Sequence, residues 1–391
     1  MSQVKPRICF VSLTIWPVFA RAPGLEVVGG AEVQQAILAR QFARAGYEVS
    51  LVCMDHGQPD GVMIDGITVY RAYAPAAGLP VLRFLHPRLS ALWAALRRAD
   101  ADLYYQRGAG MLTGVVARFC RRHSRRFLFA AASDLDFDPA LPLIRYGRDR
   151  ALFRYGVRRA DTVVAQSRRQ QLACRAVYGR DSSLVNSCHV AQDGPTADGS
   201  GAVLWVGSIK PLKRPELFVE LARSLPQLRF RMVGGGQGTA CYAEIERAAA
   251  ALPNLELVGF VPHHQIEPYF SAARLLVSTS EWEGFPNTFL QAWSQAVPTV
   301  SYFDTGSHID GEPVVTVVAS AAEMREQVAR LAGDDAAWRA AGQRCLACYR
   351  AAHTPAMALA AYQQVIAALA APAAAAPDAI PESTMSKKRT P

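Results

Sequence analysis

A basic turn in the second half of the chain could bind phosphate. Lys210, Lys213 and Arg214 lie within a span of five residues, directly before Pro215, a residue typical of the first position of a helix. The positive charges and the free N–H groups of that helix would act on the same anion. The turn therefore predicts a diphosphate site, with a solvated basic loop as the alternative.

An acidic turn, residues 280–293, follows a predicted strand at 275–279. Glu283 lies near the strand end, where a carboxylate can accept hydrogen bonds from sugar hydroxyls. The N–H groups of Asn287 and Thr288 would open the next helix and face a phosphate. The alternative is an ordinary acidic turn before a capped helix.

Two glycine turns also precede predicted helices, at Gly29-Gly30 and at residues 234–238. A glycine turn at a helix N-terminus lets a ligand anion approach the backbone, although a Gly-Gly pair is often only a tight turn. Ligands of parallel α/β domains bind at the carboxyl ends of the strands. These turns all follow strands, and we expect them to converge on one cleft.

The elements that must position these turns alternate between strand and helix throughout the chain. Apolar runs with glycine stops and helical periodicity predict two successive doubly wound α/β domains. The predicted strands are residues 8–13, 47–54, 101–106, 126–131 and a segment ending at 166, then 202–206, 228–233, 255–258 and 275–279. The predicted helices are residues 31–45, 111–122, a helix that ends just after 158, then 215–224, 239–250, 266–272 and 287–295.

The domain boundaries follow from a polar stretch rich in Gly, Pro and Asp at residues 190–201. We predict a first domain at 1–189, this linker, and a second domain at 202–369 whose last helix is a candidate to pack back on the first domain. Residues 370–391 are rich in Ala and Pro and predict a disordered tail.

Composition supports two globular domains. The 391 residues are 51% apolar and 19% charged, which excludes disordered, collagen-like and coiled-coil proteins. No apolar run approaches the roughly 20 residues that span a bilayer. Eight scattered cysteines in mostly apolar surroundings favour a reducing compartment. A signal peptide over residues 1–22 is the alternative to a cytoplasmic location, but Thr14 and Pro17 interrupt its apolar run.

Together, these segments resemble the retaining family 4 (group 1) glycosyltransferases of GT-B fold, over roughly residues 8–370. The stretch 283–291 looks like that family's paired-glutamate signature, and residues 207–213 look like its phosphate-binding loop. The resemblance implies two Rossmann-like domains that face each other across a cleft. It also implies transfer of a hexose from a nucleoside-diphosphate sugar to an acceptor hydroxyl, with retention and without a metal or other cofactor.

Site residues follow from the same resemblance. Glu283 would contact the donor hexose and Lys213 the donor diphosphate, which makes them the predicted catalytic pair. The cleft around Gly29, Gly30, Ser133 and Asp134 would take the acceptor. The predicted donor-binding residues are Gly207, Ser208, Lys210, Lys213, Arg214, Gly234, Gly235, Glu283, Gly284, Phe285, Pro286, Asn287, Thr288 and Gln291.

Three positions depart from the family pattern. Gln291 replaces the second Glu, which the resemblance places on the nucleotide ribose. Ser208 replaces an Arg, whose positive charge Lys210 could supply instead. Ser133-Asp134 replace a His of the first domain. Losing the charge-assisted bond at position 291 would cost about 1–2 kcal/mol. A non-catalytic donor-binding subunit of a polysaccharide-assembly complex is therefore one rival function. A nucleotide-sugar epimerase of the same fold, which would bind the same donor but need no acceptor, is the other.

Several motifs suggest other sites. Asp134, Asp136 and Asp138 form an Asp-x-Asp pattern that resembles a metal motif, but Pro139 and Arg145 do not fit an EF-hand, and a loop that lines the acceptor cleft is the favoured interpretation. Cys345 and Cys348 lack a second pair at zinc spacing and predict core packing. His263-His264 predict a surface turn. No Gly-x-Gly-x-x-Gly opens either domain and no Gly-x-Ser-x-Gly is present, which argues against dinucleotide binding and a hydrolase.

The positive charge belongs to the first half of the chain. The formal charge is +9 overall, but residues 1–190 carry 26 Lys and Arg against 14 Asp and Glu. Arginines cluster at 121–126 and 145–159 with aromatic residues between them. We expect this half to rest on an anionic membrane surface while it takes a lipid-linked glycan acceptor, which would make the protein cytoplasmic and peripheral. A solvated face and, less favoured, a nucleic-acid surface are the alternatives.

Overall fold

The computed structural model describes residues 5–22, 29–78, 85–192, 196–281 and 283–370. Its first domain is built on an eight-stranded sheet of order β3-β4-β2-β1-β5-β6-β7-β8. All neighbouring strands are parallel except β3 and β4. The strands are β1 Ile8–Val11, β2 Val49–Cys53, β3 Val62–Ile64, β4 Ile67–Arg71, β5 Leu103–Arg107, β6 Arg126–Ala130, β7 Thr162–Ala165 and β8 Ser183–Leu184.

Helices cover both faces of this sheet, so its central strands are buried apolar runs. Helices α4 and α5 pack unusually closely. A Cβ at Gly114 would lie 2.3 Å from the carbonyl oxygen of Leu152, and one at Gly156 would lie 2.6 Å from the backbone of Thr113. The helices are α1 Trp16–Phe19, α2 Gly30–Arg44, α3 Ser90–Ala99, α4 Met111–Arg122, α5 Gly147–Arg159 and α6 Arg168–Tyr178.

The second domain repeats the design with a parallel six-stranded sheet of order β11-β10-β9-β12-β13-β16 and a small hairpin, β14-β15. Its strands are β9 Ala202–Val206, β10 Phe230–Val233, β11 Leu255–Gly259, β12 Ala273–Ser278, β13 Thr299–Ser301, β14 His308–Ile309, β15 Glu312–Pro313 and β16 Thr316–Val317. The helices of this half of the chain are α7 Pro215–Ser224, α8 Ala240–Ala250, α9 Glu267–Ser271, α10 Asn287–Ser294, α11 Ala321–Gly333, α12 Asp335–Ala352 and α13 Pro355–Ala370. The predicted class of two doubly wound α/β domains is confirmed.

The chain passes between the domains twice, and the two passages lie side by side. The N–H of His189 donates to the carbonyl of His353 at 3.0 Å, and the Tyr349 hydroxyl donates to the carbonyl of His189 at 2.9 Å. Helix α13 then packs on α2 of the first domain, where the hydroxyls of Tyr362 and Tyr105 lie 3.0 Å apart. Helix α13, the last helix of the described residues, thus rests on the first domain.

Other predictions fare differently in detail. The elements whose bounds the sequence pattern does not predict include β3, β4, α3 and all those after residue 296, since short or Ala-rich elements lack a clear period. Strand β1 lies in the centre of the first sheet.

All eight cysteines are free, and seven are buried. Within the described residues, no helix is both long and apolar enough to cross a bilayer. The predicted tail, apart from Ala370, lies outside the described residues.

Candidate functional site

A cavity of about 650 Å³ lies between the two domains, at the carboxyl ends of β9, β10 and β12 and facing those of β5 and β6. It brings together most of the predicted site. The predicted residues that line it are Gly29, Gly30, Ser133, Gly207, Ser208, Lys210, Lys213, Gly234, Gly235, Glu283, Gly284, Phe285, Pro286, Asn287, Thr288 and Gln291. A wider hollow of about 1000 Å³ opens at the opposite, amino-terminal edge of the second sheet and contains none of them.

Buried hydrogen bonds hold the basic turn after β9. A short 3-10 turn at residues 211–213 presents Lys213, whose carbonyl accepts from Thr279 Oγ1 at 2.6 Å. The indole Nε1 of Trp205 donates to the same Oγ1 at 2.9 Å. The sequence reading missed Thr279 and Trp205, because nothing in a strand-end threonine signals that it anchors a loop 66 residues away.

Lys213 and Glu283, the predicted catalytic pair, form an ion pair in the cavity wall. Their side chains retain only 22% and 15% exposure, so water screens the pair weakly. Lys210 lies nearby at the rim, where partial desolvation, and then the charge of Lys213, lower its pKa. The turn thus concentrates positive charge, and the carboxylate of Glu283 is available to a ligand that separates the pair.

Arg214 is not part of the cavity lining. Its backbone adopts a left-handed conformation, with φ of 46°, and its Nε donates to the carbonyl of Thr279 at 2.7 Å. The guanidinium stacks over the ring of Tyr302, with 4.8 Å to the centroid. The predicted donor-binding role of Arg214 does not fit this placement, since the side chain ties the basic turn to the sheet.

The first turn of α10 bridges the two domains. Pro286 precedes the helix, and the N–H groups of Asn287 and Thr288 open it, where helix geometry supplies no partner. The Asn287 side chain donates to the carbonyl of Gly30 at 3.0 Å and accepts from Gln34 Nε2 at 2.9 Å. The main-chain N–H groups of Asn287 and Thr288, which are predicted to bind the phosphate of the sugar donor, are therefore held beside the N-terminus of α2.

Gln291 lies one turn further along α10 and faces the cavity. It is 3% exposed, and its Nε2 has no hydrogen-bond partner among the described residues. A buried amide without a partner costs free energy until a ligand satisfies it. Position 291 is where the family signature has its second Glu, so the unpaired amide belongs to the residue that departs from that signature.

Close backbone approaches explain two glycines of the lining. A Cβ at Gly234 would lie 1.9 Å from the carbonyl oxygen of Gly207, and one at Gly284 would lie 2.1 Å from that of Ala132. The first contact joins the turns after β9 and β10. The second joins the two domains directly beneath Glu283, so any side chain at position 284 would force them apart.

The two residues predicted on the acceptor side after β6 are placed differently. Ser133 lines the cavity, but Asp134 does not; it accepts from Gln170 Nε2 at 2.9 Å and lies 3.5 Å from Arg169 Nε. Asp134 therefore supports the neighbouring loop. Arg107, which the sequence reading did not select, supplies the charge on this wall.

The three aspartates of the Asp-x-Asp stretch are occupied by local contacts. Asp136 Oδ2 accepts from the N–H groups of Ala132 and Ser133 at 2.7 and 3.2 Å, and burial raises its pKa to about 6. Asp138 accepts from the N–H of Ala140 at 2.7 Å. Among the described residues no group of three metal-ligating side chains comes together.

His263 corrects another expectation. Only His264 is exposed, whereas His263 faces the cavity, and its buried Nε2 has no partner among the described residues. Burial lowers its pKa to about 4. The sequence around Pro262 does not show that His263 faces the cavity, since the adjacent His264 in the same turn is exposed.

Known proteins match both halves of the chain. The family described as "Glycosyl transferases group 1" matches residues 200–334, and the "Glycosyl transferase 4-like domain" matches residues 29–186. D-inositol 3-phosphate glycosyltransferase of Mycobacterium leprae is 26% identical over 318 residues, 71% of this chain and 73% of the relative. These matches cover both domains and all four predicted turns.

Solved structures share the fold. Sucrose-phosphate synthase from Thermosynechococcus elongatus superposes with a TM-score of 0.73 at 20% identity, covering 93% of this chain and 100% of that one. Staphylococcus aureus TarM, solved with fondaparinux, α-GlcNAc-glycerol and UDP, gives 0.70 at 11% identity, covering 92% and 99%. The fold is GT-B, and the chain belongs to the group 1 glycosyltransferases.

Proposed function

We propose that this glycosyltransferase moves a hexose from a nucleoside-diphosphate sugar to an acceptor hydroxyl with retention of configuration. The observation that carries the proposal is the Lys213–Glu283 pair in the interdomain cavity, beside the open N-terminus of α10. Cations and helix N–H groups there can neutralise a departing diphosphate. The matched families support transfer, and retention follows from the resemblance of residues 283–291 to the retaining signature.

Binding of the nucleotide sugar would separate the Lys213–Glu283 ion pair and give each side chain a partner on the ligand. Lys213 turns from Glu283 to the diphosphate, with Lys210 and the N–H groups of Asn287 and Thr288 on the same anion. Glu283 is then free to accept from hexose hydroxyls, and Gln291 Nε2 finds a partner on the ribose side. The chain's own cations supply the charge stabilisation that this step needs, and we propose that no metal takes part.

The acceptor would enter from the first domain. The relative named above acts on D-inositol 3-phosphate by its name, and we propose a lipid-linked glycan of polysaccharide or cell-envelope assembly for this chain. Exposed Leu143 and Tyr146 lie beside the arginines of α5, and Leu143 also lines the cavity. Such a surface fits peripheral binding to an anionic membrane on its cytoplasmic side.

Calorimetric titration with UDP-, GDP- and ADP-sugars, followed by radiolabel transfer into a membrane extract, tests the proposal. Lys213→Ala and Glu283→Ala should each reduce transfer at least a hundredfold, since removing one electrostatic stabiliser costs about 2.7–4 kcal/mol. Lys5→Ala and Glu246→Ala, on exposed sites outside the cavity lining, are the matched controls. Unchanged transfer in both site variants would remove these residues from the mechanism.

A non-catalytic donor-binding role is the second candidate, because Gln291 stands where the family signature has Glu. It predicts nucleotide binding without label transfer. An epimerase would instead change the isomer of the labelled sugar in the absence of acceptor, so the same extract assay separates all three functions.

A further inference from the structure

The first-domain wall of the cavity carries one charged residue among the described lining, Arg107 at the end of β5. The other charged lining residues, Lys210, Lys213 and Glu283, belong to the second domain. Positive charge therefore stands on both walls, and only the second-domain wall has its own carboxylate.

The guanidinium of Arg107 is held but not neutralised. Its Nη2 donates to Ser187 Oγ at 3.1 Å, and Ser187 donates onward to Gln166 Oε1 at 2.7 Å. Both of these residues are buried. Gln166 is fixed in turn by the carbonyl of Ala131 at 2.8 Å. This chain orients the guanidinium as a preformed element of the wall.

No carboxylate pairs with Arg107 among the described residues. Its Nε is buried without a partner. Its other polar neighbours are the hydroxyl of Tyr105, with which it forms a side-chain hydrogen bond, the hydroxyl of Tyr362 and the thiol of Cys188. Asp136 is close enough for its charge to be felt, but its Oδ2 is committed to two backbone N–H groups. An arginine fork with free donors beside a cavity is suited to a planar or tetrahedral oxyanion.

We infer that Arg107 is a specificity residue that binds an anionic group, a phosphate or a carboxylate, on the acceptor. The inference rests on the proposed function, because that function assigns the first-domain wall to the acceptor. The donor diphosphate has its own cations across the cavity, so a second anion site is needed only by an acceptor that carries charge. A neutral sugar would leave the guanidinium unpaired in a poorly hydrated site.

The test uses the full chain with its nucleotide site filled. UDP, or whichever nucleoside diphosphate the donor titration identifies, is added to saturation so that probe anions cannot occupy the Lys213 site. Inorganic phosphate, D-glucuronate and D-glucose are then titrated separately by calorimetry. Wild-type protein should bind at least one anion at least tenfold more tightly than D-glucose, and the tighter anion shows whether the acceptor group is a phosphate or a carboxylate.

Arg107→Gln should remove this preference, Arg107→Lys should retain part of it, and Arg97→Gln, an exposed arginine on α3 outside the two arginine clusters, should match wild type. Equal affinity for anion and D-glucose in wild type, or an anion preference that survives Arg107→Gln, overturns the inference. If Arg107→Gln does not fold, as judged by UDP binding, the wild-type comparison alone decides. Absence of nucleotide binding by wild type would instead overturn the proposed function.

Discussion

At the residue scale, Gln291 is where this chain departs most from its family signature. We predict that Gln291→Glu tightens UDP binding about tenfold, because a carboxylate accepts stronger hydrogen bonds from ribose hydroxyls than an amide does. Gln291→Leu, which keeps the volume but not the acceptor, should weaken binding. Calorimetry on both variants checks the prediction, and looser binding by the Glu variant would contradict it.

Thr279 shows how one hydroxyl positions the basic turn. Thr279→Val leaves both the indole N–H of Trp205 and the carbonyl of Lys213 without their partner. Unfolding free energy should fall by about 1–3 kcal/mol, and nucleotide affinity should fall with it as Lys213 loses its fixed position. Urea denaturation and UDP titration measure the two effects. Thr316→Val, where the hydroxyl makes no such bonds, should leave both unchanged.

At the scale of elements, the contact between α4 and α5 depends on missing side chains. Gly156→Ala places a methyl group 2.6 Å from the backbone of Thr113, so the helices must separate. We predict a loss of about 1–3 kcal/mol in unfolding free energy. Gly147→Ala on the same helix meets nothing within 4 Å and should be neutral. Equal stability of the two variants would contradict this packing argument.

The helix and strand pattern could be predicted because it is written locally. Residues 31–45 and 239–250 were expected as helices, and α2 and α8 lie within one residue of those bounds. The antiparallel β3 and the very short β14 to β16 could not be found. Strands of two or three residues carry too little alternation, and they form because a neighbouring edge offers hydrogen bonds.

At the scale of the whole molecule, His353 lies where the chain returns to the first domain. Its Nδ1 contacts the carbonyl of Ser187 at 2.8 Å, and its ring stacks on Phe285 with 4.7 Å between centroids. Burial lowers its pKa to about 4. Between pH 6.5 and 4 the unfolded state therefore binds a proton at His353 that the folded state does not bind. The free energy of unfolding falls as the pH falls through this window.

We predict that lowering the pH from 7.5 to 5 costs wild-type protein about 2 kcal/mol through His353. His353→Phe, which stacks but does not titrate, should lose correspondingly less, whereas exposed His308→Gln should behave as wild type. His263 acts in the same direction and Asp136, with its raised pKa, in the opposite one. The difference between wild type and variant, measured by urea denaturation at both pH values, isolates His353.

The sequence by itself determined that two parallel α/β domains form, that the turns at 207–214, 234–238 and 283–291 follow strands, and that Gly29 precedes a helix, because these features depend on residues near each other in the chain. The tertiary structure decided which side chains face the cavity. Arg214 turns to Tyr302 while Arg107 turns inward, since the direction of a strand-end side chain is set by the neighbouring strand it packs on. Those neighbours lie tens of residues away, beyond the reach of local spacing.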